Sequence, residues 1–217
     1  MMVEFATIQA KVQASYGVAA RILGTQAQQY RPFNPMDPVG GAALLGTLNV
    51  AFDSEPAFPL SRPAKPGQAI FYLLGDAAGL ALGDYLIAQD GTFFVASMEN
   101  VKPAMVLRTN ATLTLVRPQT GTSAGTNAPG GDSTATETTL LAGWPACVLS
   151  AGRGDRSDVD LPGDIRMGGW EILLPPTLSV DIRSDDILVD TDLLRRVVIE
   201  AELSPTGWRI QAVQETT

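Results

Sequence analysis

The chain contains no histidine. That absence removes the commonest metal ligand and the commonest general base near neutral pH together. Cysteine is almost as scarce. Cys147 stands alone in the apolar run "LLAGWPACVLSAG", which excludes an internal disulfide and leaves a buried, inert thiol as the expectation. Basic residues are few and scattered, 15 Lys and Arg against 23 Asp and Glu for a net charge of −8. Clamping nucleic acid through its phosphates needs concentrated positive charge, so that function class is set aside. A surface past which DNA slides without sticking is not. No apolar run approaches the ~18–20 residues of a membrane span. "MMVEFATIQAKVQAS" at the start has neither the basic nor the apolar stretch of a secretory signal, so synthesis in the cytosol is expected. No Walker, Rossmann or Gly-x-Ser-x-Gly pattern occurs, and the serines and lysines have no histidine as a base. No enzyme and no cofactor are expected.

What is present is an ordinary globular composition: 217 residues, 45% hydrophobic, enough for one large core or two small ones. Residues 3–24 read as a helix, with Phe5, Ile8, Val12, Ala19 and Leu23 recurring at three- and four-residue steps. Gln9, Gln13 and Arg21 form its polar face, and Gly24 its stop. "QYRPFNPMDPVGG" follows, where Pro32, Pro35 and Pro38 favour a stiff, extended strap. A helix on such a strap can reach a neighbour or pack on its own barrel, and both options stand.

From Leu44 the pattern becomes short β runs. They are Leu44–Phe52, Ala69–Leu74, Asp84–Ala88, Thr92–Met98, Ala104–Arg108 and Ala111–Arg117, each bounded by turn residues. Asp90-Gly91 suits a tight hairpin turn. The stretch 118–139 is nearly free of apolar side chains and reads as a flexible Gly/Thr/Ser linker or loop. Further runs follow at Leu140–Leu149, Trp170–Pro175, Asp186–Val189, Arg195–Leu203 and Gly207–Gln214. Alternation predicts Val197, Ile199 and Ala201 inward with Arg196, Glu200 and Glu202 outward, and Trp208, Ile210 and Ala212 inward in the last strand. The expected fold is mainly β: an N-terminal helix, then two small antiparallel barrel or sandwich modules joined by a flexible linker. Its divisions are 1–38 for helix and strap, 39–117 for the first module, 118–139 for the linker and 140–217 for the second module. A constant offset of 102 places Asp84, Leu86, Asp90, Val95 and Pro103 on the identical residues Asp186, Leu188, Asp192, Val197 and Pro205, which points to an internal repeat.

Two acidic stretches could carry chemistry. In "GRGDRSDVDLPGD", Asp155, Asp158, Asp160 and Asp164 are the weak candidates for a calcium site, although the bidentate Glu and alternating ligands of a calcium loop are missing. A solvated acidic loop is the plainer reading. In "RSDDILVDTD" the four aspartates flank an alternating strand and are expected to face water. Trp144, Trp170 and Trp208 are expected to pack core and edge rather than to form a sugar platform.

The phrases "SYGVAARILGTQAQQYRP" (Ser15–Pro32) and "GDYLIAQDGTFFVASMENVKPAMVLRTNATLTLVRP" (Gly83–Pro118) resemble a group of tailed-phage and prophage proteins from the virion structural region. The chain departs from them at Thr109, where a cysteine is usual, and at Val101–Val106, which is less apolar. "DDILVDTDLLRRVVIEAELSPTGWRIQAVQ" is similar to the closing strands of head-closure and head–tail joining barrels, with Asp192-Leu193 in place of Asp-Gly. The resemblance implies a structural virion protein made in the host cytoplasm, a ring-forming homo-oligomer of the neck with a stopper-like second barrel. Its partners would be portal or adaptor proteins on one side and tail terminator or tube proteins on the other. DNA would pass through without sequence-specific binding, and no membrane is involved. Phe5, Ile8, Val12, Arg21, Tyr30 and Arg31 are then the candidate contact residues. A tail or baseplate component, or a small calcium-dependent ligand- or carbohydrate-binding β-protein, are the alternative expectations.

Overall fold

Two sets of six antiparallel strands each close into a barrel. The structure is a computed structural model and describes residues 5–55, 69–75, 79–119, 137–150 and 169–215. Helix α1 (Phe5–Leu23) leads into β1 (Thr25–Tyr30), β2 (Leu44–Asp53), β3 (Ile70–Gly75), β4 (Tyr85–Ala88), β5 (Gly91–Ser97) and β6 (Ala104–Arg108). These strands close in the order β1-β2-β3-β6-β5-β4. The second barrel comprises β7 (Ala111–Pro118), β8 (Glu137–Ser150), β9 (Gly169–Leu174), β10 (Ile187–Asp190), β11 (Arg195–Ser204) and β12 (Gly207–Gln214). It closes as β7-β8-β9-β12-β11-β10. Strand for strand the two orders are the same. Closure leaves neither sheet with an open edge.

Two boundaries differ from the sequence expectation. Thr25–Tyr30, placed with helix and strap, is the strand that closes the first barrel by pairing with both β2 and β4. Ala111–Pro118, placed in the first module, pairs with β8 and β10 and belongs to the second. The chain therefore crosses between barrels at Thr109–Asn110. Residues 120–136 of the expected linker lie outside the described residues, but their flanks pair as neighbours in one barrel, Arg117 with Thr138 and Pro118 with Glu137. The low-complexity stretch thus connects two adjacent strands of the second barrel and does not join two modules.

The interiors follow from alternation. Leu86, Phe93, Val95, Phe71, Leu73 and Val106 fill the first barrel. The next residue along each strand, such as Tyr85, Phe94 or Ala96, faces the second barrel and joins its core cluster. "TFFVA" is apolar at every position after the threonine because one face lines a barrel and the other an interface. Tyr85 donates from its hydroxyl to the carbonyl of Pro145 at 2.7 Å, and burial holds that hydroxyl well above its ordinary pKa. The strap lies against the second barrel as well. The Pro35 carbonyl accepts from the Trp144 indole at 2.7 Å and from the Ala142 amide at 3.0 Å. The strap is therefore an internal brace.

Helix α1 packs over β2 and β3 through its small residues. Gly17 and Ala20 are buried, and the Tyr16 hydroxyl reaches the Val101 carbonyl at 3.2 Å. Gly24 makes the turn into β1 possible, since a Cβ there would lie 2.1 Å from the Val50 carbonyl oxygen.

Candidate functional site

Asp84 and Asp186 are the first residues that the repeat brings into view, and both are buried. Each sits just before the fourth strand of its barrel. Asp84 receives a two-pronged hydrogen bond from Arg31, Nε to Oδ1 and Nη2 to Oδ2, both at 2.8 Å. Asp186 receives the same from Arg117, at 2.7 and 2.8 Å. The second oxygen also accepts a backbone amide three residues upstream, Ala81 for Asp84 and Arg183 for Asp186. In each case the same arginine Nη2 also reaches a carbonyl, of Gly79 or of Asp181. Both guanidiniums are held above their ordinary pKa, chiefly by the aspartate hydrogen bond. Such paired carboxylates staple the end of the first strand of each barrel to the start of the fourth. Even the backbone repeats: the residue before each aspartate has positive φ, 82° at Gly83 and 70° at Asp185, a conformation that Gly and Asp tolerate best.

The repeat is structural, with one change of register. Tyr85 faces Phe94 and Ile187 faces Val197, so the offset grows from 102 to 103 across the hairpin. The partner of Val95 is therefore Val198, whose amide donates to Asp186 as that of Val95 donates to Asp84.

Strand β11 also departs from the expected alternation. A bulge falls between Val198 and Glu200. Arg196 and Val198 are buried while Ile199 is 55% exposed. The Arg196 guanidinium lies 5.0 Å over the Trp170 ring and gives Nη2 to Asp190 at 2.9 Å. Its Nε and Nη1 are buried with no hydrogen-bond partner. Burial by itself would raise the Asp190 carboxyl. Hydrogen bonds from the Leu194 amide, Arg196 and the Asp192 amide outweigh that and hold it below the usual range. Two of the four aspartates expected to face water, Asp186 and Asp190, are thus internal partners of arginines.

The candidate contact residues separate into two groups. Tyr30 is buried in the seam and its hydroxyl donates to Gln28, while Arg31 is committed to Asp84. Both brace the chain internally. Arg21 is exposed and bonds back to the Gly17 carbonyl, Ile8 is 42% exposed and Val12 half-buried. The Phe5 side chain lies outside the described residues, as do Asp155, Asp158, Asp160 and Asp164. Among the described residues no group of three or more metal-ligating side chains occurs. Cys147 is buried, and burial pushes its thiol up to about 11.

Among the described residues, two apolar surfaces have no covering partner. The first is on α1, where Ile8, Val18, Ile22 and Leu23 are 42%, 51%, 76% and 56% exposed. At 100° per residue they share one arc of about 140°. Of the expected apolar face, Ile8 and Leu23 turn outward while Val12 and Ala19 are half-buried, because the tight seat on β2 and β3 is taken by Gly17 and Ala20. The second surface is a groove of about 510 Å³ between the barrels, lined by Met105, Leu107, Leu149, Leu173, Leu174 and Trp208. Glu171 and Arg209, an ion pair, line it as well. The Trp208 indole N–H is buried and unpaired. Neither surface was legible in the sequence: the expected apolar face held Ile8 and Leu23 but not Val18 or Ile22, and the groove joins residues more than a hundred positions apart. No protein-family model, no curated protein and no solved structure matches the chain.

Proposed function

We propose that this chain is a structural, non-enzymatic subunit of a ring in the neck of a tailed phage, between the DNA-filled head and the tail. The observation that carries the reading is the apolar stripe of α1, a surface that a solitary chain leaves in water and that an assembly would cover. Ring closure needs side-to-side contacts between unlike patches of identical copies, and the chain offers two unlike patches. The phrases that resemble virion proteins support the same reading through what their residues do. Within "GDYL", Gly83 makes the left-handed turn, Asp84 takes Arg31, Tyr85 ties the two barrels together and Leu86 fills the first. Within "SYGVAARILGTQAQQYRP", Tyr16, Gly17, Ala20 and Gly24 seat the helix and Arg31 completes the staple. These are positions that hold a rigid part in shape. Net charge of −8 suits the wall of a conduit, where basic side chains would retain passing phosphates.

Electron microscopy of lysates from a phage or prophage with a stop codon in this gene tests the proposal. Separate DNA-filled or leaking heads and complete free tails are expected. Heads carrying tails with defective tips would move the protein to the tail or baseplate. Normal infectious particles would overturn the reading.

A further inference from the structure

The groove between the barrels is lined mostly by apolar side chains, with the Glu171–Arg209 ion pair among them. Beyond Glu171, the outer face of β11 exposes Glu200 and Glu202, with Glu202 directly across from Arg209. Three carboxylates thus stand against one guanidinium. Ile199 and Leu203, each 55% exposed, extend the apolar surface along the same strand.

The stripe on α1 has the opposite charge. Phe5–Leu23 contains Lys11 and Arg21 and no acidic residue, in a chain whose net charge is −8. On the helical wheel Lys11 falls between Val18 and Ile22, and Arg21 lies about 60° beyond Val18. Apolar and basic side chains therefore form one continuous face. It matches in kind what the groove presents, and complementary charge selects and orients such contacts. The helix cannot fill its own groove, because it is seated over β2 and β3 with Tyr16 tied to Val101.

We infer that the occupant of the groove is helix α1 of a second copy of this chain. The basic-apolar face of one copy lies in the acidic-apolar groove of the next, with Ile22 and Val18 toward Met105 and Leu173 and with Lys11 and Arg21 toward Glu171, Glu200 and Glu202. Helix in groove is a common recognition mode, with anchors three and four residues apart. The two surfaces differ, so the contact is heterologous: every copy gives a helix and receives one, and the series closes into a ring or continues as a filament. The inference rests on the ring reading in taking the partner to be a second copy, and it adds which surfaces meet.

A cysteine pair tests it on the full chain. Cys147 is buried and hardly ionised, so engineered thiols react without interference. The variant carrying Ile22→Cys and Met105→Cys is oxidised mildly at concentrations where sedimentation shows association. Non-reducing gels are expected to show a ladder of dimer, trimer and higher species, collapsing to monomer with reductant. Either single variant gives a dimer at most. A second arm uses charge: Lys11→Glu with Arg21→Glu weakens association at least tenfold, and adding Glu200→Lys with Glu202→Lys restores it. Association with neither ladder nor rescue overturns the inference and leaves the ring reading standing. A chain that stays monomeric with no cross-link at any concentration also overturns it. A ladder from a protein whose loss leaves infectious particles would keep this contact and discard the neck.

Discussion

The two barrels share strand order and clasp but differ at the centre of the equivalent hairpin. In the first, Phe93 stands opposite Leu86; in the second, Arg196 stands opposite Leu188. The neighbour on the third strand changes in step. Phe71 meets Phe93 edge to face at 5.6 Å, and Trp170, near the start of the third strand as Phe71 is, lies under Arg196. Where β4 ends in Ala88, β10 ends in Asp190, the carboxylate that Arg196 needs. One interior is an aromatic stack, completed by Phe52 at 4.0 Å from Phe93. The other is a cation over a ring with a single counter-charge. The same strand order holds either, and here all three positions differ together.

The largest effect should come from forcing one pattern into the other barrel alone. Phe93→Arg would bury a guanidinium in a strand pair that ends in Ala88, where the second barrel has its carboxylate. Loss of the stack adds to an uncompensated charge, and destabilisation of about 4 kcal/mol or more is expected. Urea denaturation measures it. A loss below about 1 kcal/mol would show that the first barrel's interior is not the dry stack described.

The clasps come next, and here the barrels should differ only in degree. Asp84 accepts from Arg31 twice, from Gln29 and from the Ala81 amide; Asp186 accepts from Arg117 twice and from the Arg183 amide. Each Asn substitution turns an amide donor toward arginine donors. Both arginines remain partly in water, which limits the loss. Asp84→Asn should cost about 3 kcal/mol and Asp186→Asn about 2 kcal/mol. The reverse order would mean that the fourth hydrogen bond, from Gln29 at 2.7 Å, contributes nothing.

How far the sequence announced this arrangement depends on the residue. The strands from Leu44 onward were legible because their alternation and turn residues agree. Thr25–Tyr30 was not, because "TQAQQY" hides a strand behind three glutamines; Gln29 can be buried because its amide donates to Asp84 and to the Gly79 carbonyl. The aspartates of the clasps emerged as repeat partners, their buried state did not. A sharper signal was present in Arg31-Pro32 and Arg117-Pro118, each at the end of the first strand of a barrel, but their spacing of 86 is masked by the 102 of the aspartates. Loops of unequal length between like strands break a constant offset, so the staple becomes visible only when its two ends meet in space. Alternation misplaced Arg196 for a related reason: a bulge shifts the pleat by one residue, and no local composition marks it.

A smaller effect, of opposite sign, is expected from giving the second barrel the first barrel's chemistry. Arg196→Phe with Asp190→Asn removes a buried cation that has two donors unpaired. The substituted amide side chain keeps an oxygen where Asp190 accepts the Asp192 and Leu194 amides at 2.9 Å. Replacing buried ion pairs by packed apolar groups is often neutral to stabilising, and a gain of about 1–3 kcal/mol is expected. The change should also alter the acid response. Asp190 is held below the usual range, so its contribution is full above about pH 4, the ordinary carboxylate value. It disappears as pH falls through the lower folded value. The double variant should lose less stability than the parent between neutral pH and about pH 2. An equal loss would show that the pair carries no acid sensitivity.

The smallest effect lies at the hairpin turn, where the barrels again differ by one residue. Asp90-Gly91 turns the first with glycine at φ 135°; Asp192-Leu193 turns the second with Leu193 at φ 61° and 78% exposed. A leucine in the left-handed region is strained by about 1 kcal/mol, and its side chain here recovers little by burial. Leu193→Gly removes the strain but loosens the unfolded chain, which takes back roughly half of the gain. The net should be about 0.5 kcal/mol of stabilisation, with the Asp190 cap on the Leu194 amide intact. Leu193→Ala keeps the strain and discards the side chain, so it separates the two contributions. If alanine matches glycine, the leucine side chain was the cost. If only glycine stabilises, the backbone was, and the second barrel carries at this turn a strain that the first relieves with Gly91.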